Sequence, residues 1–113
     1  MLNVAEIETF RTRLREERNT LEQEDIQGAE DRRTVPLDQQ SIGRLSRMDA
    51  LQRQAMAEAT LRRRQNRRRR IDAALQRIDH GEFGFCQDCG EEIPPARLAL
   101  DPTTPVCVSC AQG

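Results

Sequence analysis

The sequence predicts a mainly α-helical protein: a long antiparallel, coiled-coil-like helical hairpin followed by a small finger built on four cysteines. Three observations carry this. Only 36% of the 113 residues are hydrophobic and the aromatics are three Phe, with no Tyr or Trp. That is too little to fill a broad core but enough for extended helices sharing a narrow apolar seam. Apolar residues recur at helical spacing through two long segments, and all four cysteines fall in two closely spaced pairs near the C-terminal end. The expected division is a hairpin over residues 1–80, with its turn near 28–43, and a finger over residues 81–113.

The first helix is expected from Val4 to about Gln27. Ile7, Phe10, Leu14 and Leu21 recur at spacings of three, four and seven, the pattern of a coiled-coil seam. Glu17 interrupts that seam, and Gly28 reads as a stop signal. Residues 28–43, GAEDRRTVPLDQQSIG, lose the periodicity and contain two Gly and one Pro, as a turn does. A second helix is expected to start near Asp38 or Ser41 and run to about His80. Leu45, Met48, Leu51 or Gln52, Ala55 and Ala59 give it one apolar stripe; Leu61, Ile71, Leu75 and Ile78 give a second, slightly out of phase. A tight fold-back would set residues 4–10 beside residues 65–72, where Glu6 and Glu8 could meet basic side chains.

Charge is segregated along the chain. Residues 1–43 hold ten acids and six arginines, residues 44–80 eleven arginines and four acids, and residues 81–113 five acids and only Arg97. All 18 basic residues are arginine, and the net charge is -1. The densest run, LRRRQNRRRRI at 61–71, wraps the helix, so it cannot form one groove-facing stripe. Some arginines must lie over the seam, burying methylene stems and keeping their guanidinium groups wet. Two readings stand: a solvated face paired with acids of the first helix, or a contact through Arg67, Arg68, Arg69 and Arg70 to a polyanion or an acidic protein surface. Exposed helical ion pairs contribute only about 0.3–0.5 kcal/mol each, so stability alone hardly demands so many. Nucleic-acid binding usually brings stacking aromatics or a known motif, and the helices contain neither.

The pairs Cys86-x-x-Cys89 and Cys107-x-x-Cys110 have the spacing of a structural zinc site. Zinc takes four thiolates in a tetrahedron, and a C-x-x-C turn lets two sulfurs converge under backbone N–H groups. Gly90 supplies the positive φ such a turn often needs. The spacer between the pairs is long enough for a short hairpin that brings them together. A segment this small also needs a staple, which one Zn2+ provides. Disulfides would need an oxidising compartment, a thioredoxin-like pair would need a βαβ context, and a catalytic zinc would keep one position open. His80 is a helix-end residue rather than a ligand. With no nucleophile–base motif and no phosphate-binding Gly-rich loop, the sequence does not read as an enzyme. It has no signal-peptide pattern and no apolar run of membrane-spanning length, so a cytoplasmic protein that engages no membrane is expected, acting as a monomer.

The run F-G-x-C-x-x-C-G-x-x-I-P-x-x-R-L-x-x-x-P-x-x-x-x-C-x-x-C, on Phe83, Gly84, Cys86, Cys89, Gly90, Ile93, Pro94, Arg97, Leu98, Pro102, Cys107 and Cys110, resembles the DksA/TraR family of bacterial transcription regulators. The preceding IDAALQRIDHGEFG at 71–84 is similar to that family's helix-to-finger junction. The resemblance implies a zinc-containing regulator that binds RNA polymerase by placing its hairpin in the secondary channel, the finger acting as a platform, often in concert with ppGpp. The best-known family members carry D-x-x-D-x-A at the tip. Counting back from Cys86 puts that motif at residues 43–48, GRLSRM, which contains no acid; Asp38 and Asp49, with Arg44 and Arg47, become the candidate tip contacts. Longer members continue beyond the last cysteine as a helix that grips the polymerase. This sequence stops three residues after Cys110, an expectation of weaker docking that the arginine run could offset. Direct nucleic-acid binding through residues 62–70, or a zinc-stabilised interaction module with another partner, are the alternatives.

Overall fold

The computed structural model describes residues 2–31 and 44–112, with side chains described for 2–28 and 47–112. In chain order the elements are α1 (Val4–Asp31), α2 (Arg44–Asp79), α3 (Pro95–Leu100) and α4 (Val108–Gln112). A reciprocal cap starts α1: the Glu6 N–H donates to Asn3 Oδ1 at 2.8 Å, and the Asn3 N–H donates to Glu6 Oε1 at 3.3 Å. Two otherwise orphaned backbone donors are thereby satisfied.

The helix does not stop at Gly28. It runs on to Asp31, because Gly28 repeats the seam spacing of Ile7, Leu14 and Leu21, where a small residue suits a close partner. A glycine inside a helix costs only about 1 kcal/mol relative to alanine. The expected start of the second helix at Asp38 or Ser41 lies outside the described residues; its end, Asp79, falls one residue before His80.

The two long helices pack against each other in a regular antiparallel ladder. Arg11 pairs with Asp79 at 2.9 Å, Arg18 with Asp72 at 3.3 Å and Arg64 with Asp25 at 2.7 Å. Positions 11, 18 and 25 climb α1 by sevens while 79, 72 and 64 descend α2. This register overturns the expected pairing of residues 4–10 with 65–72, since the midpoint of each pair falls beyond the 28–43 segment. Glu6 instead caps its own helix and Glu8 pairs with Arg11. Residues 7 and 10 pack at the base of the hairpin, where Phe10 meets Phe83 with ring centroids 5.5 Å apart.

The core is one continuous cluster running from the hairpin base into the finger: Leu14, Ile71, Ala74, Leu75 and Ile78 from the helices, and Phe83, Cys86, Ile93 and Leu98 from beyond them. Leu2, Ile7, Phe10 and Leu21 pack against it, so the seam expected on α1 is present. On α2 the second expected stripe enters the core through Ile71, Leu75 and Ile78, whereas the first does not form the seam. Met48 is 59% exposed and Leu51 65%, and Ala55 is exposed too; the side chain of Leu45 lies outside those described. The half-buried positions there are Ala50, Ala57, Thr60 and Leu61, together with Ala59, the one described member of the first stripe that is not exposed. Ala50 and Ala57 continue the sevenfold spacing of Arg64, Ile71 and Ile78, which turns Met48 and Ala55 to the opposite side.

Arg67 joins the three parts of the fold. Its guanidinium makes a two-point contact with the Glu17 carboxylate on α1, and its Nη1 donates to Asp101 Oδ1 and to Thr103 Oγ1, both at 2.9 Å, in the turn after α3. The hydrogen bond to Glu17, then that to Asp101, holds the Arg67 proton more tightly than usual against the opposing effect of burial. Burial pushes the Asp101 carboxyl up, but hydrogen bonds from Thr103 and Arg67 outweigh it and bring its pKa down to about 2. The turn is an Asx type, with the Thr103 N–H donating to Asp101 Oδ1 at 3.1 Å. Arg70 Nη2 reaches Asp101 Oδ2 at 3.1 Å, Arg77 reaches the Thr103 carbonyl at 3.3 Å, and Arg13 reaches the Ala99 carbonyl at 2.6 Å.

Truncating fully buried Leu14 to alanine is expected to cost about 3 kcal/mol, whereas Leu51→Ala should stay within about 0.5 kcal/mol; denaturant unfolding of both variants checks the seam assignment. Because the Asp101 pKa is depressed in the fold, its stabilising contribution is complete above the ordinary carboxylate range and disappears as pH falls through about 2. The stability difference between wild type and Asp101→Asn should therefore be constant near neutrality and vanish at the acid end. Matched denaturation curves taken across that range measure it.

Candidate metal centre

The first cysteine pair is shaped by short-range hydrogen bonds. The Gly90 N–H donates to the Cys86 carbonyl at 2.9 Å, the Cys86 N–H to the Glu91 carbonyl at 2.7 Å, and the Ile93 N–H to the Gly84 carbonyl at 2.8 Å. Phe85 and Glu92 form an isolated antiparallel bridge around this loop. Gly90 has φ 76° and Gly84 φ 92°, a region that residues with a Cβ rarely adopt. At Gly84 a Cβ would also meet Leu2 Cδ1 at 3.3 Å.

The spacer between the pairs is not the expected short hairpin. It folds as the six-residue helix α3, started by Pro94 and Pro95, and the 101–104 turn. Proline at the first helical position costs nothing, since that N–H has no partner inside the helix. Leu98 on α3 is buried in the common core. The Gln87 N–H donates to the Pro105 carbonyl at 2.8 Å, and Arg97 Nε donates to the Val106 carbonyl at 3.2 Å, so both approaches to the second pair are tied to the first half of the finger. Cys107 and Cys110 then bracket the start of α4, where the Ala111 N–H donates to the Cys107 carbonyl at 2.9 Å.

This arrangement brings Cys86, Cys89, Cys107 and Cys110 together, with all four Sγ atoms within 4.8 Å of one another. Zn–S bonds of about 2.3 Å in a tetrahedron place neighbouring sulfurs about 3.8 Å apart; Cys89 Sγ and Cys107 Sγ are 3.7 Å apart. The donor set therefore fits zinc in size and in softness. The thiols are also electrostatically frustrated as a group. Burial pushes the Cys86 thiol up, but backbone N–H groups of Cys89, Cys107 and Asp88 more than compensate and bring it down to about 6. Cys110 is driven upward, first by the Cys107 sulfur and then by those of Cys86 and Cys89. Four thiolates cannot share this space without a cation between them, and a closed four-sulfur shell makes that cation structural rather than catalytic.

The other site residues expected from the sequence do not converge on this centre. Arg47 and Asp49 are exposed on the distal part of α2; Asp38 lies outside the described residues, and so does the side chain of Arg44. In the arginine run, Arg67 and Arg70 meet Asp101, and Arg68 meets Asp25 at 3.1 Å and Glu22 at 3.4 Å. Arg69 donates to Asn66 on its own helix. The hydrogen bond from Arg64, opposed by burial and reinforced by Arg68, holds Asp25 below its usual pKa. Sequence reasoning overlooked Asp101 and Thr103, although D-P-T-T is a readable turn signal.

Serine at any one of the four cysteines, or a strong chelator, is expected to unfold residues 83–110 while most helix signal survives. Zinc content and far-ultraviolet circular dichroism, measured on the same samples, check this.

Residues 81–113 match the family model described as the prokaryotic dksA/traR C4-type zinc finger. The RNA polymerase-binding transcription factor DksA of Haemophilus influenzae is 43% identical over 42 residues, covering 37% of this chain and 29% of that protein, so this match spans under a third of the relative's own length. The protein of the same name from Escherichia coli K12 is 28% identical over 112 residues, covering 96% of this chain and 71% of the relative. Among solved structures, the transcription factor DksA2 from Pseudomonas aeruginosa superposes with a TM-score of 0.79 at 24% identity, over 97% of this chain and 83% of that one; this likeness speaks for the fold. The cysteine geometry and the matched finger agree: residues 81–113 form a C4-type zinc finger of the dksA/traR kind with one structural Zn2+, and the chain as a whole is similar to DksA proteins in sequence and in fold.

Proposed function

We propose that this protein is a non-enzymatic, cytoplasmic transcription regulator that binds bacterial RNA polymerase through the secondary channel, with the helical hairpin as probe and the finger as its mount. The observation that supports this most directly is the rigid attachment of a dksA/traR-type finger to the hairpin base. The core passes without a break from Ile71, Leu75 and Ile78 into Phe83, Ile93 and Leu98, and Arg67 ties both helices to the 101–104 turn. A platform so attached fixes the direction in which a helix of 36 residues, about 54 Å long, points. Relatives named for polymerase binding align over most of this chain.

In this reading the distal contacts are made by Asp38, Arg44, Arg47 and Asp49. Arg47 and Asp49 are exposed on α2, so both are available to a partner. Within the arginine run, Arg64, Arg67 and Arg68 pair with acids of the first helix and Arg70 with Asp101 of the finger, so these four serve the fold. Among the described residues no helix is long and apolar enough to cross a membrane.

The test is a titration of zinc-loaded protein against bacterial core RNA polymerase at physiological salt, with excess nonspecific DNA as competitor. Saturable binding that survives the competitor is the expected result, and the double substitution Arg47→Ala with Asp49→Ala should raise Kd about tenfold, as loss of a contact worth about 1.4 kcal/mol does. Binding that is absent, or that the DNA abolishes, refutes the reading.

A further inference from the structure

The face of α2 beneath the finger carries more positive charge than the hairpin consumes. Arg63, Arg70 and Arg77 recur every seven residues, which aligns them along one side of the helix over about 21 Å. Arg62 and Arg69 flank them. None of the five meets an acid of α1 in the described structure. Arg63 donates to Thr60 Oγ1 at 3.0 Å and Arg69 to Asn66 Oδ1 at 2.9 Å, both neutral groups of the same helix. Burial and then the neighbouring Arg70 weaken the hold of Arg77 on its proton, with Glu82 opposing, so like charges crowd here.

The 101–104 turn covers the Arg70 and Arg77 part of this stripe. Asp101 accepts from Arg70 at 3.1 Å and from Arg67 at 2.9 Å, and the Thr103 carbonyl accepts from Arg77 at 3.3 Å. The turn is held there by its chain neighbours, since Pro105 is bonded to Gln87 and Val106 to Arg97 just before Cys107. Residues 81–113 carry five acids against Arg97 alone, so the finger is an anionic cap on a cationic helix face.

We propose that Arg63, Arg70 and Arg77, with Arg62 and Arg69, form a phosphate-backbone-binding stripe on α2, and that the finger's 101–104 turn occupies part of it and competes with nucleic acid for it. Guanidinium groups pair bidentately with phosphate oxygens. A straight row with Asn66, Ala73 and Gln76 between and no aromatic residue suits the backbone rather than the bases, giving sequence-independent, salt-sensitive binding.

The experiment measures binding of a short fluorescein-labelled DNA duplex by anisotropy across a salt series, using the full zinc-loaded chain. Asp101→Asn keeps an acceptor for the turn but removes its charge. This variant, verified to retain zinc and helicity, is expected to bind more tightly, with the slope of log K against log salt steepened by about 0.9 per additional phosphate contact. Adding Arg63→Gln, Arg70→Gln and Arg77→Gln should abolish the gain. Asn66→Asp, which leaves the finger untouched and places an acid among Arg62, Arg69 and Arg70, should weaken binding and flatten the slope in the otherwise wild-type chain. Asp101→Asn and Asn66→Asp proteins that both bind as wild type overturn the proposal. So does an equal gain by Asp101→Asn toward poly-glutamate, because the stripe would then select acidic protein rather than phosphate.

Discussion

Arg67 is the interaction on which the arrangement of the parts depends. A finger and a hairpin could share an apolar contact and still swivel, because apolar packing has little directional preference. A guanidinium bonded to Glu17 on one helix while standing on the other, and to Asp101 and Thr103 beyond α3, has fixed bond directions on each side. It is also only partly exposed, so water competes poorly for its donors. The three segments therefore meet at one planar group, and the core from Leu14 to Leu98 fills the space that this group defines. Breaking a half-buried pair of this kind leaves the Glu17 carboxylate without its counter-charge and Asp101 with Arg70 alone, a larger loss than that of an exposed surface pair.

Much of the fold was legible because its signals are local. The metal ligands are written as two C-x-x-C pairs with a spacer of the right length, and nothing distant is needed to read them. The α1 seam was equally plain, since Ile7, Phe10, Leu14 and Leu21 stand out from a charged background. The register was not legible. It depends on how much chain lies between the helices, and residues 28–43 carry no periodicity from which to measure it; Gly28 then shortened the first helix in the reading although it lies inside the helix.

The other misreadings share a cause, namely that hydropathy alone does not define a seam. Glu17 looked like an imperfection in α1 and proved to be the partner of Arg67. On α2 the distal seam runs through Ala50 and Ala57, residues with little hydrophobic contrast, so the larger Met48 and Leu51 drew attention to the wrong side. The arginine run was ambiguous for the same reason. Whether a guanidinium is solvated, paired in the hairpin or capped by the finger depends on acids between 31 and 50 positions away in sequence.

The ladder of pairs at 11/79, 18/72 and 25/64 gives the hairpin the character of a graduated ruler. Each rung lies about 10–12 Å from the next at the helical rise, seven residues along α1 and seven or eight along α2, and each is bonded across both arms. Seven residues added to one arm alone would set every rung beyond the insertion against the wrong neighbour. Seven added to both arms would lengthen the rod by one graduation and leave the base, the core and the metal site unaltered. The reach of such a protein is thus quantised, and descendants of a common ancestor can differ in length most readily by matched whole steps.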